Sequence, residues 1–207
     1  MIQIELLKEE LTQNKNIHLY SFSTFPGISE TYLEAVEKKL KISLSPALKE
    51  FYKITNGWQV RWAKIDNEYR SAFEKEIKNS GYVFAWDWPA QHYWQIDGII
   101  NILPIEKVFF RDYKDFIWFD FEEDIQTEWN KEQINLLKFK QNIRPFDVFD
   151  KYYTVAIYIG DKDLPLLLGN DHNATFQDFK PISFDDYFNH LIIDKGEVAK
   201  RVNLFKY

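Results

Sequence analysis

The stretch LSPALKEFYKITNGW, Leu44–Trp58, constrains the fold most, because it reads as a helix with a marked start, a marked stop and a strand directly behind it. Ser45 is placed to cap the helix, its hydroxyl accepting a free amide of the first turn. Pro46 falls at the first helical position, where its missing N–H costs nothing. Leu48, Phe51, Tyr52 and Thr55 recur at helical spacing and mark the inward face, while Lys49, Glu50 and Lys53 mark the outward one. Asn56-Gly57 reads as the stop, since glycine tolerates the positive φ that ends a helix. In the following WQVRWA, large and polar residues alternate, which sets Trp58, Val60 and Trp62 on one face of a strand.

The flanks extend this order. IQIELLKEELTQNK reads as a short amphipathic helix. After FPGI a second cap, Ser29, starts SETYLEAVEKKLKI, with Tyr32, Leu33, Val36 and Leu40 as its apolar stripe and Glu34–Lys38 and Glu37–Lys41 as i,i+4 pairs. The helices at 29–41 and 45–56 are joined so closely that a hairpin is expected. DNEYRSAFEKEIKNSG repeats Tyr69, Phe73 and Ile77 every four residues and reads as a helix inside an insertion over 64–95, ahead of the aromatic-rich YVFAWDWPAQHYW. Strand character returns in GIINILPIEKVFF, broken at Pro104, and in DFIWFDF, INLLKFK, YTVAIYIG and LPLLLGN, the last ending in a Gly-Asn turn. SFDDYFNHLI closes the pattern as a helix with Ser183 as N-cap, Asp185 and Asp186 in the positive first turn, and Phe184, Tyr187, Phe188 and Leu191 turned inward. The expectation is one α+β domain over residues 1–207, with a mostly antiparallel central sheet, an N-terminal helix pair and a C-terminal helix packed on it.

Aromatic residues make up 18% of the chain, which implies a core built from rings. Cysteine is absent, so disulfides, thiolate nucleophiles and cysteine-ligated zinc are excluded. The opening segment mixes acids and lysines through its apolar positions, unlike a signal peptide, and no run approaches the roughly 20 apolar residues of a membrane span, so a soluble cytoplasmic protein is expected. A net charge of −6 argues against nucleic acid as the direct partner. Pro145–Asp194 holds nine Asp and three Lys and so carries a net −6 by itself, which serves either solubility or recognition of a basic partner.

Motifs for chemistry are sparse. The seven glycines form no phosphate-binding loop, so no nucleotide cofactor is expected. His18, His92, His172 and His190 stand far apart, without the i,i+4 spacing that presents two nitrogens to one metal. In GDKDLPLLLGNDHNATF, Asp161, Asp163, Asp171 and His172 would suit calcium or magnesium if the two ends of a hairpin met, but the same residues are what ordinary hairpin turns contain; no metal is expected. Glu122, Glu123, Asp124 and Glu128 cluster as carboxylates for glycoside cleavage would, or as a solvated turn. Tyr82, Phe84, Trp86, Trp88, Tyr93 and Trp94 form either a sugar or protein platform or part of the core.

GISETYLEAVEKKLKISLSPALKEFYKITNGW as a whole resembles the start of the SMI1/KNR4 family, also called the SUKH superfamily, through Leu33, Glu34, Glu37, Leu40, Leu44, Pro46, Phe51, Asn56 and Gly57. INILPIEKVF, PFDVFDKYYTVAIYI and ISFDDYFNHLI are similar to its later strand, strand region and closing helix, so the resemblance covers about residues 28–193. It implies a binding module rather than an enzyme: many bacterial members look like immunity proteins that neutralise a polymorphic toxin, often a nuclease, by direct contact, while fungal relatives are linked to cell-wall synthesis and signalling. A regulatory or scaffold protein is therefore the alternative, and a metal-dependent hydrolase using Asp161 to His172 a third. No catalytic residue carries over. Pro46, Asn56, Gly57 and Trp58 are the structural motif, and a basic toxin domain would be met by Asp161, Asp163 and Asp171 on hairpin turns, with Trp86 and Trp88 as anchors.

Overall fold

A computed structural model describes residues 2–68, 71, 96–111, 126–129, 132–149, 153–170 and 180–206. Helix α1 (Ile2–Gln13) leads to strand β1 (Ile17–Pro26), followed by α2 (Glu30–Leu40) and α3 (Pro46–Ile54). Both expected caps form: Ser29 Oγ accepts from the Tyr32 N–H and Ser45 Oγ from the Leu48 N–H, each at 3.2 Å, which satisfies first-turn donors that the helix itself leaves open. α2 and α3 pack as a pair. Lys49 meets Glu37 at 2.9 Å, Lys53 meets Glu30 at 3.2 Å, and the Leu44 N–H donates to Glu37 Oε1 at 2.7 Å. Glu37 thus reaches across to α3 instead of along its own helix to Lys41, which ends α2 in the left-handed conformation at φ 57°.

The chain continues through β2 (Thr55–Lys64), β3 (Gly98–Ile102), α4 (Ile105–Phe110), β4 (Gln126–Trp129), β5 (Glu132–Asn135), α5 (Leu136–Gln141), β6 (Ile143–Asp147), β7 (Tyr153–Tyr158), β8 (Leu166–Asn170), α6 (Phe184–Ile193) and α7 (Val198–Leu204). Six strands form one sheet in the order β1-β2-β3-β6-β7-β8, every neighbour antiparallel, and β4 and β5 pair separately. The α+β expectation holds. Trp58, Val60 and Trp62 are buried on the side where α3 and α6 meet the sheet: Phe51 lies edge-on to Phe184 and Phe188, 5.8 Å from each, and Phe188 lies 6.1 Å from Trp58. Such ring pairs add about 0.5–1.5 kcal/mol each beyond the area they bury. Gln59 and Arg61, on the other side of β2, are buried as well.

Several local expectations are corrected. Asn56-Gly57 does not stop α3; the chain turns into β2 at Thr55, and both residues lie in the strand. Thr24 pairs with Trp58 but Pro26 with Thr55, so β2 spends one extra residue there, and Gly57, at φ 110°, sits in that bulge. INLLKFK is not one strand, because Asn135 Oδ1 accepts from the Lys138 N–H at 3.0 Å and turns the chain into α5. Gly169 and Asn170 extend β8 opposite Thr154 and Tyr153 instead of forming a turn. Tyr32 is exposed rather than part of the buried stripe of α2. β1 and α7 add to the elements expected from the sequence. The helix read around Tyr69, Phe73 and Ile77, the aromatic run over 82–94 and the strand read at 115–121 lie outside the described residues. No helix among the described residues is long and apolar enough to cross a membrane.

Candidate partner-binding surface

The surface is positioned by a buried polar knot. β3 and β6 share a single register pair, Ile102 with Asp147, and the first half of β3 turns instead to the α6–α7 connection: the Ile99 N–H donates to Gly196 O at 3.0 Å. Arg201 of α7 enters this gap. Its Nη2 donates to the Ile99 carbonyl and, at 2.8 Å, to that of Gly196, while Nη1 donates to Asp147 Oδ2 at 3.0 Å, and its guanidinium stacks 4.1 Å from the Phe149 ring. Asp147 also accepts from the Tyr187 hydroxyl at 2.6 Å and from the Asn101 N–H at 2.8 Å. Burial pushes the Asp147 carboxyl above the usual carboxylate range, with Arg201, Tyr187 and Asn101 pulling the other way; burial likewise holds the Tyr187 phenol well up. All three side chains are in the core, so the knot fixes α6 and α7 to the sheet and presents nothing to a ligand.

An acidic edge follows from one short bridge. Leu166 and Ile182 exchange backbone hydrogen bonds of 2.8 and 3.1 Å, which sets the β7–β8 turn, with Asp161 and Asp163, beside the first turn of α6, with Asp185 and Asp186. The carboxylates do local work too. Asp161 Oδ1 accepts from the Asp163 N–H at 3.0 Å, and Asp186 Oδ2 accepts from the Ser183 hydroxyl at 2.7 Å. Asp163, Asp185 and Asp186 are exposed and Asp161 is half-buried. Of the acids in Pro145–Asp194, Asp147 is in the core and Asp194 meets Lys200 at 3.4 Å, so the segment's charge is not all on one face.

At the far end of α6 a hollow of about 610 Å³ opens between the end of α1, the ends of β1 and β2, and the α6–α7 turn. Its floor is the buried Trp62, whose Nε1 donates to Lys195 O at 2.7 Å. A Cβ on residue 98 would stand 2.0 Å from that nitrogen, so Gly98 is what lets the indole lie there. Lys195 and Gly196 both take left-handed backbone, φ 55° and 73°, to make the turn. Ile65 and Ile193 stand exposed at the rim.

Of the residues singled out in the sequence, Asp161 and Asp163 are brought to the acidic edge, and Asp171, His172, Trp86 and Trp88 lie outside the described residues, as do Glu122, Glu123 and Asp124. His190 faces Asp194 at 3.5 Å on the surface of α6. Among the described residues no group of three or more His, Asp and Glu is arranged to hold a metal ion. Asn56 acts at a distance: its Oδ1 accepts from the Ile105 N–H at 2.9 Å and its Nδ2 donates to Glu106 Oε2 at 3.0 Å, so it caps α4 rather than its own helix. The Asp147–Arg201 pair spans 54 residues, and no local pattern announces it; nor does any pattern announce the hollow.

The described residues form an α+β fold with an acidic edge and a hollow at the far end of α6. The family model for SMI1 / KNR4 (SUKH-1) matches residues 27–202, and the chain belongs to that family, which is consistent with an immunity-type binding protein. A search of the curated proteins finds no match.

Proposed function

We propose that this protein is an immunity protein, neutralising a cognate toxin by direct contact, with a basic toxin domain received on the acidic edge. Family membership supports the class of function. The observation that supports the contact is the Leu166–Ile182 bridge, which sets the turn carrying Asp161, Lys162 and Asp163 beside the segment from Lys180 to Asp185 and Asp186, four acids against two exposed lysines. On the sequence alone, Asp171, Trp86 and Trp88 are proposed as further partner contacts. Exposed charges of this kind act chiefly on the encounter, raising the association rate of an oppositely charged partner. The test is surface-based binding kinetics against the toxin domain encoded beside this gene, its active site inactivated. Asp161→Asn/Asp163→Asn/Asp185→Asn keeps the local acceptors and removes the charge. It should slow association several-fold and flatten its salt dependence, with dissociation nearly unchanged. Association that is independent of salt, or untouched by the triple substitution, would sink the acidic-edge reading.

A further inference from the structure

We infer that Asn56-Gly57 is a site of spontaneous covalent modification, deamidation of the Asn56 side chain, which the fold keeps latent by bonding that side chain to α4. The site needs no partner, cofactor or enzyme. Deamidation requires a side-chain amide and, next along the chain, a main-chain nitrogen that nothing crowds; glycine, without a Cβ, leaves that nitrogen the most open. In an open chain the Gly57 nitrogen gives up its proton to hydroxide and attacks Asn56 Cγ. The Cγ–Nδ2 bond breaks, ammonia leaves, and a five-membered imide forms across the two residues. Water then opens the imide at either carbonyl, leaving an aspartyl residue at position 56 or an isoaspartyl one, in which the main chain runs through the former side chain.

The folded chain opposes each step. Asn56 Oδ1 accepts from the Ile105 N–H at 2.9 Å and its Nδ2 donates to Glu106 Oε2 at 3.0 Å, so both ends of the amide are turned to α4. Closing the ring turns the amide to its own main chain instead, and breaks both bonds. Gly57 is buried, which keeps hydroxide from its nitrogen. The bulge around it is held by Thr55, whose hydroxyl donates to Gly57 O at 2.5 Å and accepts from the Phe25 N–H at 3.0 Å. Next along the chain the fully buried Trp58 pairs with Thr24 on one side and Ile102 on the other. Conversion therefore belongs to molecules in which α4 has come away from β2. It is also one-way. An aspartyl carboxylate at position 56 would face Glu106 where the donor Nδ2 stood, like charge against like. An isoaspartyl link adds a backbone carbon at the bulge and puts the Trp58–Ile102 register out of step. A molecule converted at this junction cannot re-form it as before, so the converted fraction records how often the junction opens.

The full chain is incubated at pH 8 and 37 °C, native or in guanidinium chloride. Its tryptic peptide Ile54–Arg61 is then followed by mass and by labelling with an isoaspartate-specific methyltransferase. Unfolded chain should convert at position 56 at least about tenfold faster than native chain, since the native rate is scaled by the fraction of time spent open. Glu106→Ala, at an exposed position, removes one of the two bonds that hold the amide. It should raise the native rate several-fold with the rate in guanidinium chloride unchanged, whereas Glu106→Gln, which keeps an acceptor for Nδ2, should stay near the wild type. Asn56→Asp, the product that substitution can make, should melt below the wild type at pH 8. Equal conversion of native and unfolded chain, conversion of neither, or a Glu106→Ala variant that converts no faster in the native state would overturn the proposal. An Asn56→Asp variant that melts with the wild type would overturn its one-way character.

Discussion

Among the described residues, replacing Arg201 by methionine removes the cation in contact with the fully buried Asp147 carboxylate. Asp147 accepts from Tyr187 at 2.6 Å, Asn101 at 2.8 Å and Arg201 at 3.0 Å. Breaking a buried ion pair from one side costs about 3–5 kcal/mol, because the charge left behind is uncompensated. The loss is bounded by protonation, which makes it depend on pH. Burial already raises the folded-state pKa of Asp147 above its unfolded value, so the folded protein holds the proton more tightly. The contribution of this group to stability is then fully present below the unfolded pKa and is lost as pH rises through the folded one. Without Arg201, the strongest of the influences pulling downward, that window extends further up. Urea denaturation followed by tryptophan fluorescence should therefore show Arg201→Met losing about 3–5 kcal/mol at pH 8 and distinctly less at pH 5. The Ile99 and Gly196 carbonyls each lose the Arg201 donor, Gly196 keeping the Ile99 N–H, and supply a part common to both. Adding Asp147→Asn should abolish the difference between the two pH values. An equal loss at pH 5 and pH 8, or a double variant as pH-sensitive as the single one, would refute the reasoning.

Two further changes probe the Asn-Gly motif. Asn56→Ala removes the cap of α4 and the partner of Glu106, and should cost about 1–2 kcal/mol, lowering the thermal midpoint by roughly 2–8 °C. Gly57→Val forces a β-branched residue to φ 110° within the bulge and should destabilise by about 1–2 kcal/mol in the same thermal assay.

Signals that act within four residues were readable. Ser29, Ser45 and Ser183 each cap the helix expected of them, and Trp58, Val60 and Trp62 go to one buried face. What failed was chemistry whose partner is remote. Asn56 looked like a helix stop because Asn-Gly is a local stop signal, yet its amide serves Ile105 and Glu106. Glu37 had Lys41 on its own helix and took Lys49 instead, because the α2–α3 hairpin brings that ammonium to 2.9 Å. INLLKFK is the local exception: its apolar content suggests a strand, but the cap of Asn135 on the Lys138 N–H, three residues on, starts a helix. Of the candidate site, Asp161 and Asp163 were legible as turn residues, while Asp185 and Asp186 were legible only as helix starters; their common edge exists because Leu166 meets Ile182.

The antiparallel order of the sheet has a consequence for the connection between β2 and β3. β2 and β3 are neighbours, yet the chain between them runs over residues 65–97, where a tight turn would close the same register from Trp62 with Gly98 to Trp58 with Ile102. Asp97 holds the two ends of this connection together, accepting from the Lys64 N–H and from Asn67 Nδ2, each at 2.8 Å. Closing a flexible loop costs only about 0.6 kcal/mol more for each doubling of its length, so growing a two-residue turn to this size costs roughly 2–3 kcal/mol. The connection can therefore be lengthened, shortened or replaced between clamped ends at little cost to the ladder of β2 and β3.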